Sequence, residues 1–192
     1  MKTKPVTDRR VLRTRRTLRD ALIQLILKRG WDEVSVQDIC AQADVGRSTF
    51  YTHFADKEEL LLSGFDDLRT ALRAQHAPNA GATAGPLAFA GAMIVHASEN
   101  LRLFRALVGR RSALAVQTQF RRVVVDLVRE DLARSAPNAP QLEALTHYLA
   151  GAFIELLSWW LDTRAGLEAA QLEALFHSLS APVLTMRPER AR

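Results

Sequence analysis

Arg47-Ser48-Thr49-Phe50-Tyr51-Thr52-His53-Phe54, followed by Lys57, gathers the side chains of this sequence best suited to gripping another molecule. Arg47 can present a bidentate fork to the O6 and N7 of a guanine. Ser48 and Thr49 are short enough to let a helix approach a groove and bond base edges or phosphates. Tyr51, His53 and Lys57 suit phosphate contacts, which position a protein without reading sequence. The plain alternatives are a half-buried packing role for Tyr51 and a solvated surface role for His53. Phe50 and Phe54, four residues apart, read as the core side of the same helix.

No comparable set supports covalent or metal chemistry. The histidines at 53, 76, 96, 147 and 177 are scattered, with none at finger-like or HExxH spacing. The single cysteine, Cys40, leaves no internal disulfide framework and no multi-cysteine zinc site. Neither a Gly-rich phosphate loop nor a nucleophile elbow occurs. The expectation is a protein without metal or cofactor that is not an enzyme.

The elements around these residues all read as helix. Leu18, Ala21, Leu22, Leu25 and Ile26 make one apolar stripe closed by Gly30. Ser35 with Asp38 reads as an N-cap and an acid at a helix start, and Val36, Ile39 and Cys40 face inward. The amide end of that helix is a further phosphate seat, which makes Ser35 a candidate contact. Asp44-Val45-Gly46 signals a turn between short helices over about 35–42 and 47–53, the proportions of a helix-turn-helix. Asp56 with Glu59 marks another capped start, leading into a helix carrying Leu61, Phe65, Leu68 and Leu72. After a Pro/Gly/Ala linker at 77–86, helices are predicted over about 86–98, 99–108, 111–135, 140–163 and 167–181, the last ended by Pro182. The fold class is all-α with about nine helices.

Charge is unevenly spread along the 192 residues. Met1 to Arg19 holds eight basic residues against one acid, while the remainder holds 18 basic and 20 acidic residues. The two parts stand at +7 and −2, so an anionic partner would meet the first tenth of the chain. Lys2 to about Thr7 reads as a mobile arm ahead of the first helix. Ala74 to Ser98 lacks charged residues but is broken by Pro78, Gly81, Gly85 and Pro86, so no membrane span or membrane partner is expected. Nor does an apolar stretch follow the basic start, as a signal peptide would require. A cytoplasmic location is expected.

The stretch VSVQDICAQADVGRSTFYTHFADKEELL, Val34 to Leu61, closely resembles the DNA-binding segment of the TetR family of transcriptional regulators. The likeness extends back through Lys28-Arg29-Gly30-Trp31 and covers roughly residues 10 to 62. Asp44 departs from it, since the family often has Gly there. The resemblance implies an N-terminal basic arm and three-helix DNA-binding domain over 1–58, with the helix-turn-helix at about 34–53. A C-terminal regulatory and dimerisation domain over 59–192 would follow, with 56–77 as the connecting helix. It places Arg47, Ser48 and Thr49 in the groove and Tyr51, His53 and Lys57 on phosphates.

The same resemblance implies a ligand cavity and a homodimer formed by the last two helices. Candidate cavity residues are Phe89, Met93, His96 and Phe104 in the first part of that domain. Phe120, Phe153, Leu157 and Trp160 are the candidates in the second part. Each is equally an ordinary core residue, and which of Trp159 and Trp160 faces a cavity stays open. Leu172, Leu175, Phe176 and Leu179 form a narrow seam suited to another helix and are assigned to the dimer interface. The expected function is a ligand-responsive repressor that binds a palindromic double-stranded DNA operator as a homodimer and senses a largely apolar small molecule. An activator, an effector-independent DNA-binding protein and, more distantly, a helical enzyme are the alternatives.

Overall fold

A computed structural model describes residues 6–75, 86–108, 114–135, 141–163 and 166–185, and nine α-helices and no strands occur among them. Lys2, Lys4, His76 and most of the 77–86 linker lie outside the described residues. Helix α1 (Val6–Arg29) begins inside the segment expected to be an arm. Its stripe Leu18, Ala21, Leu22, Leu25 and Ile26 is buried. Gly30 ends it at φ +81°, a conformation that disfavours residues with a Cβ, and its N–H returns to the Ile26 carbonyl at 2.8 Å.

Helix α2 (Val36–Ala43) is capped reciprocally at its start. The Ser35 hydroxyl accepts from the Asp38 N–H at 3.2 Å, and the Asp38 carboxylate accepts from the Ser35 N–H at 2.9 Å. At its end Asp44 takes the left-handed conformation, φ 51° and ψ 46°, so the departure from Gly keeps the turn. Asp is among the few residues that visit this region at modest cost. The turn delivers the chain to α3 (Arg47–His53).

Helix α4 (Lys57–Gln75) starts with a second reciprocal cap. The Glu59 N–H donates to Asp56 Oδ1 at 2.7 Å, and the Ala55 N–H donates to Glu59 Oε2 at 2.5 Å. Its first half packs on α1, while its second half is tied to α7 by Arg69–Asp126 at 3.4 Å and by Arg73–Glu130. One helix thus belongs to both halves of the molecule.

Helices α5 (Phe89–Glu99), α6 (Leu101–Val108), α7 (Leu114–Ser135), α8 (Leu142–Thr163) and α9 (Ala169–Thr185) form the second half. Its centre is a chain of edge-on rings, Phe89 on Phe153 and Phe153 on Phe176, each with centroids 5.1 Å apart. Arg129 of α7 grips Glu143 at the start of α8 through two bonds of 3.0 and 3.1 Å. That grip raises the Arg129 pKa and lowers that of Glu143. Asp131 is buried on α7, where its carboxylate pairs with Arg134 and receives the Phe89 N–H at 3.4 Å.

The last helix departs from expectation. It runs through Pro182 to Thr185 instead of stopping there. A proline near a helix end forfeits one backbone bond, here to the carbonyl of Ser178, an exposed residue that water can serve.

Candidate nucleic-acid interface

Helix α3 has one face spent on the fold and one left free. Phe50 and Phe54 are 0% and 2% exposed, their rings 5.9 Å apart, and they fix α3 on the domain core. Arg47, Ser48 and Thr49 on its first turn are all exposed, and so is Tyr51 at 51%. Tyr51 therefore does not pack as a half-buried core residue; its ring meets that of Phe50 at right angles, with centroids 5.4 Å apart. His53 is half-buried beside Phe54. Thr52 turns back to the Ser48 carbonyl at 2.9 Å, which leaves the hydroxyls of Ser48 and Thr49 as the outward donors of that turn.

Two predicted phosphate contacts carry structural bonds as well. Lys57 donates from Nζ to the carbonyls of Trp31 and Val34 at 3.0 and 2.8 Å and lies 4.5 Å from the centre of the Trp31 ring. An ammonium has three donors, so one remains for a phosphate. The Ser35 hydroxyl and N–H are both engaged with Asp38, so neither is free for an anion. The Ser35 bonds and then Arg29, 3.1 Å away, hold the Asp38 carboxyl at a pKa of about 2.

Part of the basic N-terminal charge is used inside the protein, which spacing did not reveal. The Arg15 guanidinium stacks on the Phe54 ring at 4.5 Å and so clamps α1 to the end of α3. Arg19 pairs with Asp67 and donates to the Ser63 carbonyl at 3.4 Å, both on α4. Its pKa is lowered, first by burial and then by neighbouring Arg15. Arg9, Arg10, Arg13 and Arg16 stay exposed on α1.

The expected cavity residues separate into groups. Phe89, Met93, Phe153 and Leu157 are at most 2% exposed and pack among themselves and their neighbours in the second domain. His96 and Phe104 instead line a cavity of about 150 Å³ between α1, α4 and α6. Phe120 lines another, of about 380 Å³, between α7 and α8, with Gln117, Arg121, Glu155 and Ser158 on its walls. Trp160 is half-buried and donates from Nε1 to the Leu167 carbonyl at 2.9 Å; neither it nor Trp159 lines these two cavities. Burial lowers the His96 pKa.

The expected dimer seam divides too, and half of it needs correcting. Leu172 and Phe176 are 1% exposed inside the protomer, so they are not surface for a second copy. Leu175 and Leu179, at 36% and 63%, are surface, and Tyr148 of α8 is another exposed apolar side chain. A helix turns about 100° per residue, so positions 172 and 176 share a face that 175 and 179 flank. Among the described residues no group of three or more His, Cys, Asp or Glu could hold a metal, and no helix is long and apolar enough to cross a membrane.

A helix-turn-helix domain with a polar recognition-helix end, joined to a second helical domain, defines the class of DNA-binding regulators. Residues 18–63 match the model of the tetR family of bacterial regulatory proteins. YxbF, an uncharacterized HTH-type transcriptional regulator of Bacillus subtilis (strain 168), is 42% identical over 55 residues. Those are 28% of this chain, and the chain spans only 14% of that relative. A TetR transcriptional regulator from Streptococcus agalactiae 2603V is 26% identical with a TM-score of 0.68, over 91% of this chain and 97% of that one. Thermus thermophilus FadR, a TetR-family transcriptional repressor solved with lauroyl-CoA, shares the fold at a TM-score of 0.60 and 20% identity, over 93% and 98% of the two chains. Residues 18–63 thus match the tetR family, and over its length the chain is similar to TetR-family transcriptional regulators.

Proposed function

We propose that this protein is a ligand-responsive repressor that acts as a homodimer on a near-palindromic DNA operator in the cytoplasm. The observation that carries the reading is α3 itself. Its apolar face is anchored by Phe50 and Phe54, and its first turn presents Arg47, Ser48 and Thr49 to solvent. In this reading Arg47 forks onto a guanine and Ser48 and Thr49 touch base edges. Tyr51, His53, Lys57 and the amide end of α2 hold phosphates on either side.

Two recognition helices reach successive major grooves only when a dimer holds them about 34 Å apart. Leu175, Leu179 and Tyr148 supply exposed apolar surface on α8 and α9 for that pairing. The effector role is supported by the two cavities and by the fold shared with a repressor that binds lauroyl-CoA.

Selection of binding duplexes from a random library, followed by footprinting, tests the reading. The expected result is a protected pair of inverted half-sites with centres about one helical turn apart. Protection of a single half-site, or of no preferred sequence, would refute it.

A further inference from the structure

The cavity of about 150 Å³ lies on the seam between the two domains, not within the second one. Leu22 and Ile23 of α1, Leu61 and Phe65 of α4, and Leu103 and Leu107 of α6 form its walls. Gly64, in the middle of α4, leaves space there: a Cβ at this position would meet only Arg19 Cδ, at an ordinary 3.8 Å. Two polar side chains reach the lining, Arg19 and His96. Arg19 is already committed to Asp67 and to the Ser63 carbonyl. The His96 imidazole has no hydrogen bond among the described residues, and its ring stands edge-on to Phe104 at 5.6 Å.

Size and lining together select the occupant. An engineered cavity of roughly 150 Å³ lined by Leu, Ile and Phe stays dry and takes up benzene. This pocket has a similar volume and a largely similar wall, although it is partly open to solvent, with one imidazole able to donate or accept a hydrogen bond. A long acyl chain or a nucleotide carrier exceeds it.

We propose that the α1–α4–α6 seam is a binding site for a monocyclic phenol, with the ring among the leucines and the hydroxyl on His96, and that filling it lowers affinity for DNA. This rests on the reading of the chain as an effector-responsive DNA-binding regulator. The coupling follows from where the walls come from. A ligand shifts a conformational equilibrium only if it contacts the two states differently. Here one wall belongs to α1, which holds α3 through Arg15 on Phe54, and the opposite wall belongs to α6. Helix α6 is in turn fixed to α8 by Arg105 donating to the Leu161 carbonyl at 2.6 Å. Any change in the separation of α1 and α6 therefore alters both the cavity and the placement of α3.

The test uses the full chain with phenol as probe. Isothermal titration and NMR shift mapping should show one saturable site, with shifts centred on Ile23, Gly64, Leu103 and His96. Ile23→Phe and Gly64→Leu fill the cavity from two different helices, so either one that keeps a cooperative melt suffices. Each should weaken phenol at least about tenfold, whereas Thr118→Trp, at the α7–α8 cavity, should not. Saturating phenol should lower affinity for a selected duplex within the ~5–150-fold range of allosteric pairs. Absence of saturable phenol binding to the free protein, or loss of binding in Thr118→Trp alone, overturns the site even if a duplex is selected. Unchanged duplex affinity at saturation overturns the coupling. A chain that binds phenol as expected but selects no duplex overturns the regulatory reading, and the coupling with it, while supporting the site.

Discussion

Lys57 and Trp31 are joined twice: the ammonium donates to the Trp31 carbonyl at 3.0 Å and sits 4.5 Å from the centre of its indole ring. A third contact, to the Val34 carbonyl at 2.8 Å, locks the start of α4 to the turn between α1 and α2. Lys57→Met keeps the stem and removes the donors, which strands the Val34 carbonyl and leaves that of Trp31 only the Val34 N–H, at 3.2 Å. The expected cost is about 1–3 kcal/mol in a urea titration. The same variant should weaken every duplex by a similar factor and reduce the slope of log affinity against log salt by about 1. Unaltered stability would refute the structural half, and an unaltered slope the phosphate half.

Arg47 carries no such structural duty. Arg47→Ala should leave the denaturation midpoint in place and relax base preference at one operator position by about 1–3 kcal/mol. Equal weakening on selected and random duplexes would show that Arg47 touches phosphate instead.

The recognition segment was legible in the sequence because its constraints are local. Caps at Ser35 and Asp56, stops at Gly30 and Asp44, and the Phe50/Phe54 spacing each act within about four residues. What was not legible depends on distant pairing. That Arg15 and Arg19 serve the interior follows from Phe54, Ser63 and Asp67, and no short-range pattern announces those partners. Likewise His96 and Phe104 share the helical spacing of core residues, and only the approach of α1 and α4 turns them into cavity wall. Leu172 and Phe176 looked like half of an intermolecular seam because a stripe shows that a face is apolar without showing which neighbour covers it.

Substitutions on α9 should separate those two faces. Leu172→Ala or Phe176→Ala opens a void inside the protomer and should cost about 2–5 kcal/mol. Leu175→Arg together with Leu179→Glu should change protomer stability little, since both positions are exposed, yet halve the sedimentation mass of a dimer. A dimer that survives the double substitution would move the interface elsewhere.

Asp38 supplies a pH test. Its folded pKa of about 2 lies below its usual 3.8, chiefly through the Ser35 bonds. A depressed carboxyl contributes stability that is present above the unfolded value and is lost as pH falls through the folded one. The Asp38 contribution should therefore be intact above about pH 4 and disappear toward pH 2. Asp38→Asn should flatten that limb of the pH–stability profile, and an unchanged limb would contradict the capping account.

Gly64 offers a gain in stability. Glycine within a helix costs about 1 kcal/mol relative to alanine, and the added methyl meets only ordinary contact with Arg19. Gly64→Ala should raise the melting temperature. A lowered one would mean that the seam has less room than its geometry gives.

The salt dependence of binding is the most direct test of the central claim that α3 reads DNA. Fluorescence anisotropy with a selected duplex and its scrambled counterpart, between 50 and 200 mM salt, measures it. The account predicts a steep linear fall of log affinity with log salt for both duplexes, with the selected one tighter throughout by about 10³-fold or more. A flat salt response, or equal affinity for the two duplexes, would contradict it.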